Sequence, residues 1–103
     1  MKIEILPSAM EDLDRGRRFY ERKEAGLGEY FLRRLFEDID SLGVSAGVHL
    51  IHFDEYHRLL SKRFPYAVYY TMAGRTVYVY AVMDCRRNPE WIERRLKGRR
   101  QQR

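Results

Sequence analysis

The sequence predicts one α+β domain: an N-terminal strand, an antiparallel helix hairpin, an antiparallel sheet meander and a short C-terminal helix. Three observations carry this reading. Apolar residues repeat at helical spacing from Ala9 to Leu42, they alternate or run continuously at strand spacing from about Arg58 to Met83, and a helical segment returns only after Asn88-Pro89. With 103 residues, 45% of them hydrophobic, the chain has the length of one domain and enough apolar surface to offset its ordering entropy.

The first element, Lys2 to Leu6, mostly alternates polar and apolar residues, and Pro7 stops it. Ser8 stands three residues before Glu11, the spacing of a capping box, which predicts a helix from about Ala9. Ala9, Leu13, Gly16 and Tyr20 form its apolar stripe, and Gly26 is expected to end it in a left-handed conformation. A second helix is expected soon after Gly28, with Phe31, Leu35, Ile39 and Leu42 on one face and Gly43 and Gly47 closing it. The short connection makes the pair a hairpin.

From Val44 to His57 the signals weaken to a loop with a short strand near Leu50 to Phe53. Arg58 to Phe64 and Ala67 to Met72 read as strands, the latter rich in β-branched and aromatic residues. Ala73-Gly74-Arg75 turns the chain into Thr76 to Met83, an almost wholly apolar run that is the candidate central strand. Pro65, which lacks an amide donor, belongs between strands or at a bulge. Asn88-Pro89 opens the last turn and Glu90 to Leu96 a final helix, so the domain is placed at residues 1–96. Residues 97–103 carry Lys97, Arg99, Arg100 and Arg103 with no acid, and are expected to be a flexible, solvated tail.

Net charge is +5, but it is unevenly placed. Residues 1–56 hold 8 Lys/Arg against 12 Asp/Glu, and residues 57–103 hold 12 against 3. The second half therefore offers a basic surface to an acidic partner. The single Cys85 rules out an internal disulfide and fits a reducing compartment. No run approaches the roughly 20 apolar residues that span a bilayer, and Met1-Lys2-Ile3-Glu4 lacks a signal-peptide core, so a cytoplasmic protein with no membrane partner is expected. His49, His52 and His57 lie in loop-like surroundings far from the cysteine, which argues against a metal site, and nothing calls for a cofactor. Cys85 has arginine neighbours that favour thiolate but no histidine base beside it, so a half-buried thiol is expected.

The chain resembles the RelE/ParE superfamily, the toxin halves of bacterial type II toxin-antitoxin modules. The resemblance rests on Phe19-Tyr20-Glu21, Gly26-Leu27-Gly28-Glu29 with Phe31, Arg63-Phe64-Pro65-Tyr66-Ala67-Val68-Tyr69-Tyr70, and Ala81-Val82-Met83 leading to Arg86-Arg87-Asn88-Pro89. The Phe-Pro-Tyr strand entry and the later Arg-Arg-Asn-Pro are its most specific parts. It implies a growth-arresting toxin held inactive by a cognate antitoxin that docks across the sheet and helices. The leading expectation is a metal-independent endoribonuclease that cuts messenger RNA on the ribosome, with inhibition of DNA gyrase as the alternative; a module that binds nucleic acid without chemistry is the alternative from another class.

Metal-independent RNA cleavage needs a base for the 2′-hydroxyl, cations for charge developing on phosphate, and an acid for the leaving oxygen. Arg63, Tyr70, Asp84 and Arg87 are the candidates for chemistry, and Arg58, Lys62, Arg86 and Arg95 for gripping nucleic acid or another target. Tyr66 is a second candidate for proton transfer. Strand packing is the competing role for Phe64, Pro65, Tyr66 and Tyr70, and a turn cap or arginine pair is the competing role for Asp84. Two positions depart from the nuclease branch: Ala67 stands where a basic residue usually follows the tyrosine of the second sheet strand, and Asp84 where many relatives have histidine.

Overall fold

The computed structural model describes residues 1–102. The chain runs β1 (Lys2–Ile5), α1 (Pro7–Lys23), α2 (Leu27–Asp40), the single turn α3 (Leu42–Ser45), β2 (Ile51–His52), β3 (Tyr56–Leu60), β4 (Tyr66–Ala73), β5 (Thr76–Asp84), α4 (Pro89–Lys97) and a 3-10 turn at Arg100–Gln102. The strands form one sheet in the order β1-β5-β4-β3-β2, with β1 parallel to β5 and every other pair antiparallel. The α+β architecture expected from the sequence is the one found. The middle strand, however, is β4, and β5 lies between β4 and β1.

The helix hairpin covers one face of the sheet, where Leu13, Phe31, Leu35 and Ile39 pack on Val68, Tyr70, Val77 and Val79. Helix α4 covers the other, packing Ile92 and Leu96 against Ala67, Tyr69, Ala81 and Met83. With both faces covered, β4 and β5 carry apolar residues almost without alternation, which is why Thr76 to Met83 reads as a continuous run. The hairpin closes tightly because two glycines permit it. A Cβ at Gly16 would lie 2.6 Å from the Phe31 ring, and one at Gly28 would lie 2.5 Å from the Arg17 carbonyl oxygen.

Helix α1 starts at Pro7, earlier than the Ser8–Glu11 spacing suggests, because proline suits a first helical position where its missing amide costs nothing. Ser8 is no cap. Its hydroxyl donates to the Tyr80 carbonyl at 2.8 Å, and its amide donates to Gln102 Oε1 at 2.9 Å. Nor does Gly26 end α1, which stops at Lys23 with Glu24 extended; Gly26 adopts its left-handed φ of +89° immediately before α2. There the Glu21 carboxylate accepts from the Gly26 and Gly28 amides, both at 2.9 Å, satisfying two donors at the start of α2. Strand β3 is shifted relative to the predicted Arg58 to Phe64 and stops at Leu60. Phe64 turns inward onto Tyr20 and Phe31, with ring centroids 4.8 and 5.1 Å away, which leaves Lys62 and Arg63 on an exposed connection.

An irregularity in β5 organises the end of the sheet. Tyr69 pairs with Ala81 and Tyr70 with Val79, so Tyr80 is skipped in the register. Strand β1 has already ended, its last pair being Ile5 with Val79. Side chains of α1 meet the edge that β1 leaves bare: Ser8 takes the Tyr80 carbonyl, and the Val82 amide donates to Asp12 Oδ2 at 3.0 Å. Arg99 completes the arrangement with two hydrogen bonds to the Asp12 carboxylate, at 2.5 and 3.0 Å, and one to the Tyr80 carbonyl at 3.2 Å. The solvated tail expected after Leu96 is therefore corrected for residues 97–102. Arg99 is only 14% exposed, Gln102 caps Ser8, and Arg100 pairs with Glu55 at 2.9 Å; Arg103 lies outside the described residues. A buried carboxylate on α1 needs a cation, and the tail supplies it. Among the described residues, no helix is long and apolar enough to cross a membrane.

Removing one partner of a buried ion pair leaves an uncompensated charge and costs about 3–5 kcal/mol. Arg99→Met, which keeps most of the aliphatic stem, should therefore lower urea-unfolding stability by about 3 kcal/mol or more. Arg17→Met, which removes an exposed pair with Asp14, should cost about 1 kcal/mol or less. Equal losses would mean that the Asp12–Arg99 pair has no special role.

Candidate functional site

Between α1, the end of β5 and α4 lies an open cleft of about 210 Å³. Its charged lining consists of Arg15, Arg87, Arg95 and Arg99 with Asp12 and Asp84, beside Tyr66 and Trp91. Four guanidiniums thus face two carboxylates. Arg99 is spent on Asp12, which also accepts from Arg15 at 3.2 Å.

Local sequence builds the wall formed by α4. Asn88 caps the helix by accepting from the Glu90 amide at 2.8 Å, and Pro89 occupies the first turn. Trp91 and Arg95 lie one turn apart on the same side of α4, and Arg87 stands just before the Asn88 cap. The Arg87 guanidinium carbon lies 4.2 Å from the Trp91 ring centre and that of Arg95 lies 4.6 Å from it. Among the described residues, neither arginine has a carboxylate within ion-pair distance.

Asp84 ends β5 opposite Tyr66 and holds Arg86 in a fork, at 3.0 Å from Nε and 2.8 Å from Nη2, while also accepting the Arg86 amide at 2.9 Å. That hydrogen bonding outweighs partial burial and holds the Asp84 carboxyl below its usual range. The turn-capping and arginine-pairing role considered for Asp84 is the geometry observed. Tyr66 is driven the other way: burial, reinforced by Tyr20 and the Asp84 charge, pushes its phenol up to about 12. It remains a hydrogen-bond donor across the physiological range.

Of the residues singled out from the sequence, the cleft gathers Tyr66, Asp84, Arg87 and Arg95, with Arg86 alongside. The others lie elsewhere. Lys62 and Arg63 are exposed on the β3–β4 connection and do not line the cleft, and Arg58 on β3 lies beside the Tyr69 hydroxyl. Tyr70 is fully buried under the helices opposite Val79, away from Asp84. Its hydroxyl accepts from the Gly47 amide at 2.9 Å and meets His49 Nδ1 at 2.6 Å, and His57 stacks on its ring at 5.0 Å. His57 Nδ1 donates in turn to the His49 carbonyl at 2.8 Å, so two of the three histidines pin the 47–57 segment to the sheet. Cys85 is half-buried and its amide donates to the Pro65 carbonyl.

Asp12, Arg15, Arg99 and Trp91 complete the cleft without having been singled out. Only Asp12 carried a signal: it falls within the apolar stripe of Ala9, Leu13 and Gly16, where a carboxylate, here 4% exposed, must be paired. Its partner, 87 residues further along the chain, cannot be read from spacing.

The class these features define is a small α+β domain with an arginine-rich cleft beside the end of an inner strand. No protein-family model matches the chain, and no curated protein does. Among solved structures the fold is shared with a chain of the "Chromosomal ParDE TA system from P. aeruginosa", at a TM-score of 0.76 over 82% of this chain and 95% of that one. At 15% identity the likeness is one of fold, and it is the architecture that the RelE/ParE resemblance implies.

Burial, with a smaller effect of His57, lowers the His49 pKa below its ordinary 6.5. The folded state therefore favours the neutral ring, and its contribution to stability is present above pH 6.5 and lost as pH falls through the lowered value. Wild-type protein should lose stability as pH falls below 6.5, above the range where carboxylates titrate; His52, whose pKa burial and Arg58 also lower, contributes to that loss, and His49→Gln should reduce it. Tyr70→Phe strands the Gly47 amide and should cost about 1–3 kcal/mol while leaving the arginine cleft intact. An unchanged pH profile in His49→Gln would contradict the assignment.

Proposed function

We propose that this chain is the toxin component of a type II toxin-antitoxin module, kept inactive by a cognate antitoxin, and that it arrests growth by binding its target and not by cutting RNA. The toxin reading is carried by the architecture shared with a chain of the chromosomal ParDE TA system over almost the whole of that chain. The choice between binding and cutting rests on what the cleft lacks.

Metal-independent cleavage needs a group able to take a hydroxyl proton near neutral pH. Among the described lining residues, Tyr66 is pushed to about 12, Asp84 is held low by Arg86, and Asp12 is occupied by Arg99, Arg15 and the Val82 amide. None of the histidines lines the cleft. Ala67, where the nuclease branch usually has a basic residue, is fully buried. What remains is a set of donors without a base, which suits a grip on an anionic group. Of the two targets that the resemblance implies, DNA gyrase is the one that requires no proton transfer by this chain.

Expression without the partner should arrest bacterial growth and induce the DNA-damage response while transcripts stay intact by primer extension. The double variant Arg87→Gln/Arg95→Gln should relieve the arrest at equal levels of folded protein. Cuts at ribosomal A sites that vanish in Arg87→Gln would replace the binding reading with the nuclease one, and normal growth at high levels of folded protein would remove the toxin reading altogether.

A further inference from the structure

We infer that the outer edge of β2 receives a second copy of this chain, two protomers pairing antiparallel about a twofold axis beside Ile51. This edge is distant from the arginine cleft in the sheet, since β3 and β4 separate β2 from β5. Residues 41–53 contain no Asp, Glu, Lys or Arg, in a chain where 34% of residues are charged. The other long uncharged run, 64–74, is mostly the inner strand β4, whose apolar character follows from burial. Burial does not account for 41–53, where Leu42 is the one buried residue. Val44, Val48, Leu50 and Ile51 are instead between 57 and 97% exposed, the four most exposed large apolar side chains among the described residues.

The backbone of β2 is suited to pairing with itself. Alternate residues of an edge strand direct their amide and carbonyl at the neighbouring strand and away from it. The Arg58 amide donates to the Leu50 carbonyl at 3.1 Å, so Leu50 and His52 face β3, and Ile51 turns its amide and carbonyl outward. Such an edge is a template for another strand, and neither the lysines nor the prolines that commonly protect one occur in 41–53. In an antiparallel ladder two opposed residues exchange both hydrogen bonds, so Ile51 of one protomer satisfies Ile51 of the other. The segment is already held in place. The Gly47 amide donates to the Tyr70 hydroxyl and His57 Nδ1 to the His49 carbonyl, so little further backbone is ordered on pairing.

Charge favours a second copy over a different protein. Unlike partners are steered and discriminated by complementary charge. This segment offers none beyond the N-terminal ammonium, which donates to the Gly43 carbonyl at 3.2 Å. Two chains that each carry +5 repel at long range, and they meet at least cost where neither presents charged side chains. A twofold axis then removes the same aliphatic side chains of both protomers from water. The segment is shorter than the roughly 20–30 residues that a standard interface takes from each partner, so the dimer is reversible and concentration-dependent.

Sedimentation of the full chain from about 1 µM to about 1 mM should show monomer giving way to dimer. The Ile51 amide should exchange more slowly as the dimer fills. Apolar burial survives screening, so about 1 M salt should not dissociate it. Leu50→Lys and Ile51→Lys should each weaken association at least about tenfold, because they place charge on an uncharged contact. Ile51→Pro removes only an outward amide and leaves the bonds to β3, so it should weaken association as much with an unchanged far-UV spectrum. Met10→Lys, at an exposed apolar position on α1, should leave the dimer unchanged. A chain still monomeric at the highest concentration would overturn the inference. So would a dimer that high salt dissolves, or one indifferent to all three substitutions in β2 and its entry. A monomer whose Ile51 amide gains protection only when a cognate antitoxin is co-expressed would assign the edge to a different protein and overturn the second copy.

Discussion

The Asp12 carboxylate is the point on which the rest of the structure depends. Strand β1 ends before β5 does, and the skipped Tyr80 leaves a carbonyl and the Val82 amide facing α1 with no strand to receive them. A buried backbone group without a partner costs about as much as a lost hydrogen bond, so this edge must be satisfied for the sheet to be covered at all. Asp12 and Ser8, one helical turn apart, supply an acceptor and a donor where a longer β1 would have done so. Asp12 can be buried only because Arg99 returns from the end of the chain to neutralise it. One carboxylate thereby ties together the first helix, the inner strand and the last turn.

That tie also determines which arginines remain free. Arg99 faces the cleft but is consumed by structure, and Arg86 is held by Asp84 in an exposed pair. Arg87 and Arg95 rest on an indole, which steadies a guanidinium without neutralising it. The basic character of the second half therefore overstates its capacity to grip an anion. Around the cleft Arg15 and Arg99 share the Asp12 carboxylate and Arg86 holds that of Asp84, whereas Arg87 and Arg95 have no carboxylate in ion-pair contact among the described residues. The cleft is lined by no histidine, its Tyr66 phenol is pushed up by burial and its Asp84 carboxyl is held low by Arg86, which is the physical basis for reading it as a binding surface.

Much of the fold was legible in the sequence, because periodicity and turn chemistry are local. The stripe of Ala9, Leu13 and Gly16, the face of Phe31, Leu35 and Ile39, the two-residue turn at Gly74 and the Asn88-Pro89 helix start all stand where the pattern places them. The capping box failed because Pro7 offered a better helix start and Ser8 had a distant acceptor. The site was less legible. Asp84, Arg87 and Arg95 could be named because they cluster near the last turn, whereas Tyr70, on the same face of β4 as Tyr66 but four residues further along and opposite Val79, lies under the helices and away from Asp84. Arg99 looked like part of a solvated tail because nothing in a local window indicates a partner 87 residues away.

Hydrogen exchange at the Val82 amide tests the central claim most directly. If Asp12 stands in for the missing strand, this amide should be protected in the wild type to the same degree as the ladder amides of β5, and Asp12→Ala should abolish its protection selectively while the β4–β5 ladder from Thr76 to Val79 stays protected. Exchange at a loop-like rate in the wild type, or protection unchanged in Asp12→Ala, would contradict the account.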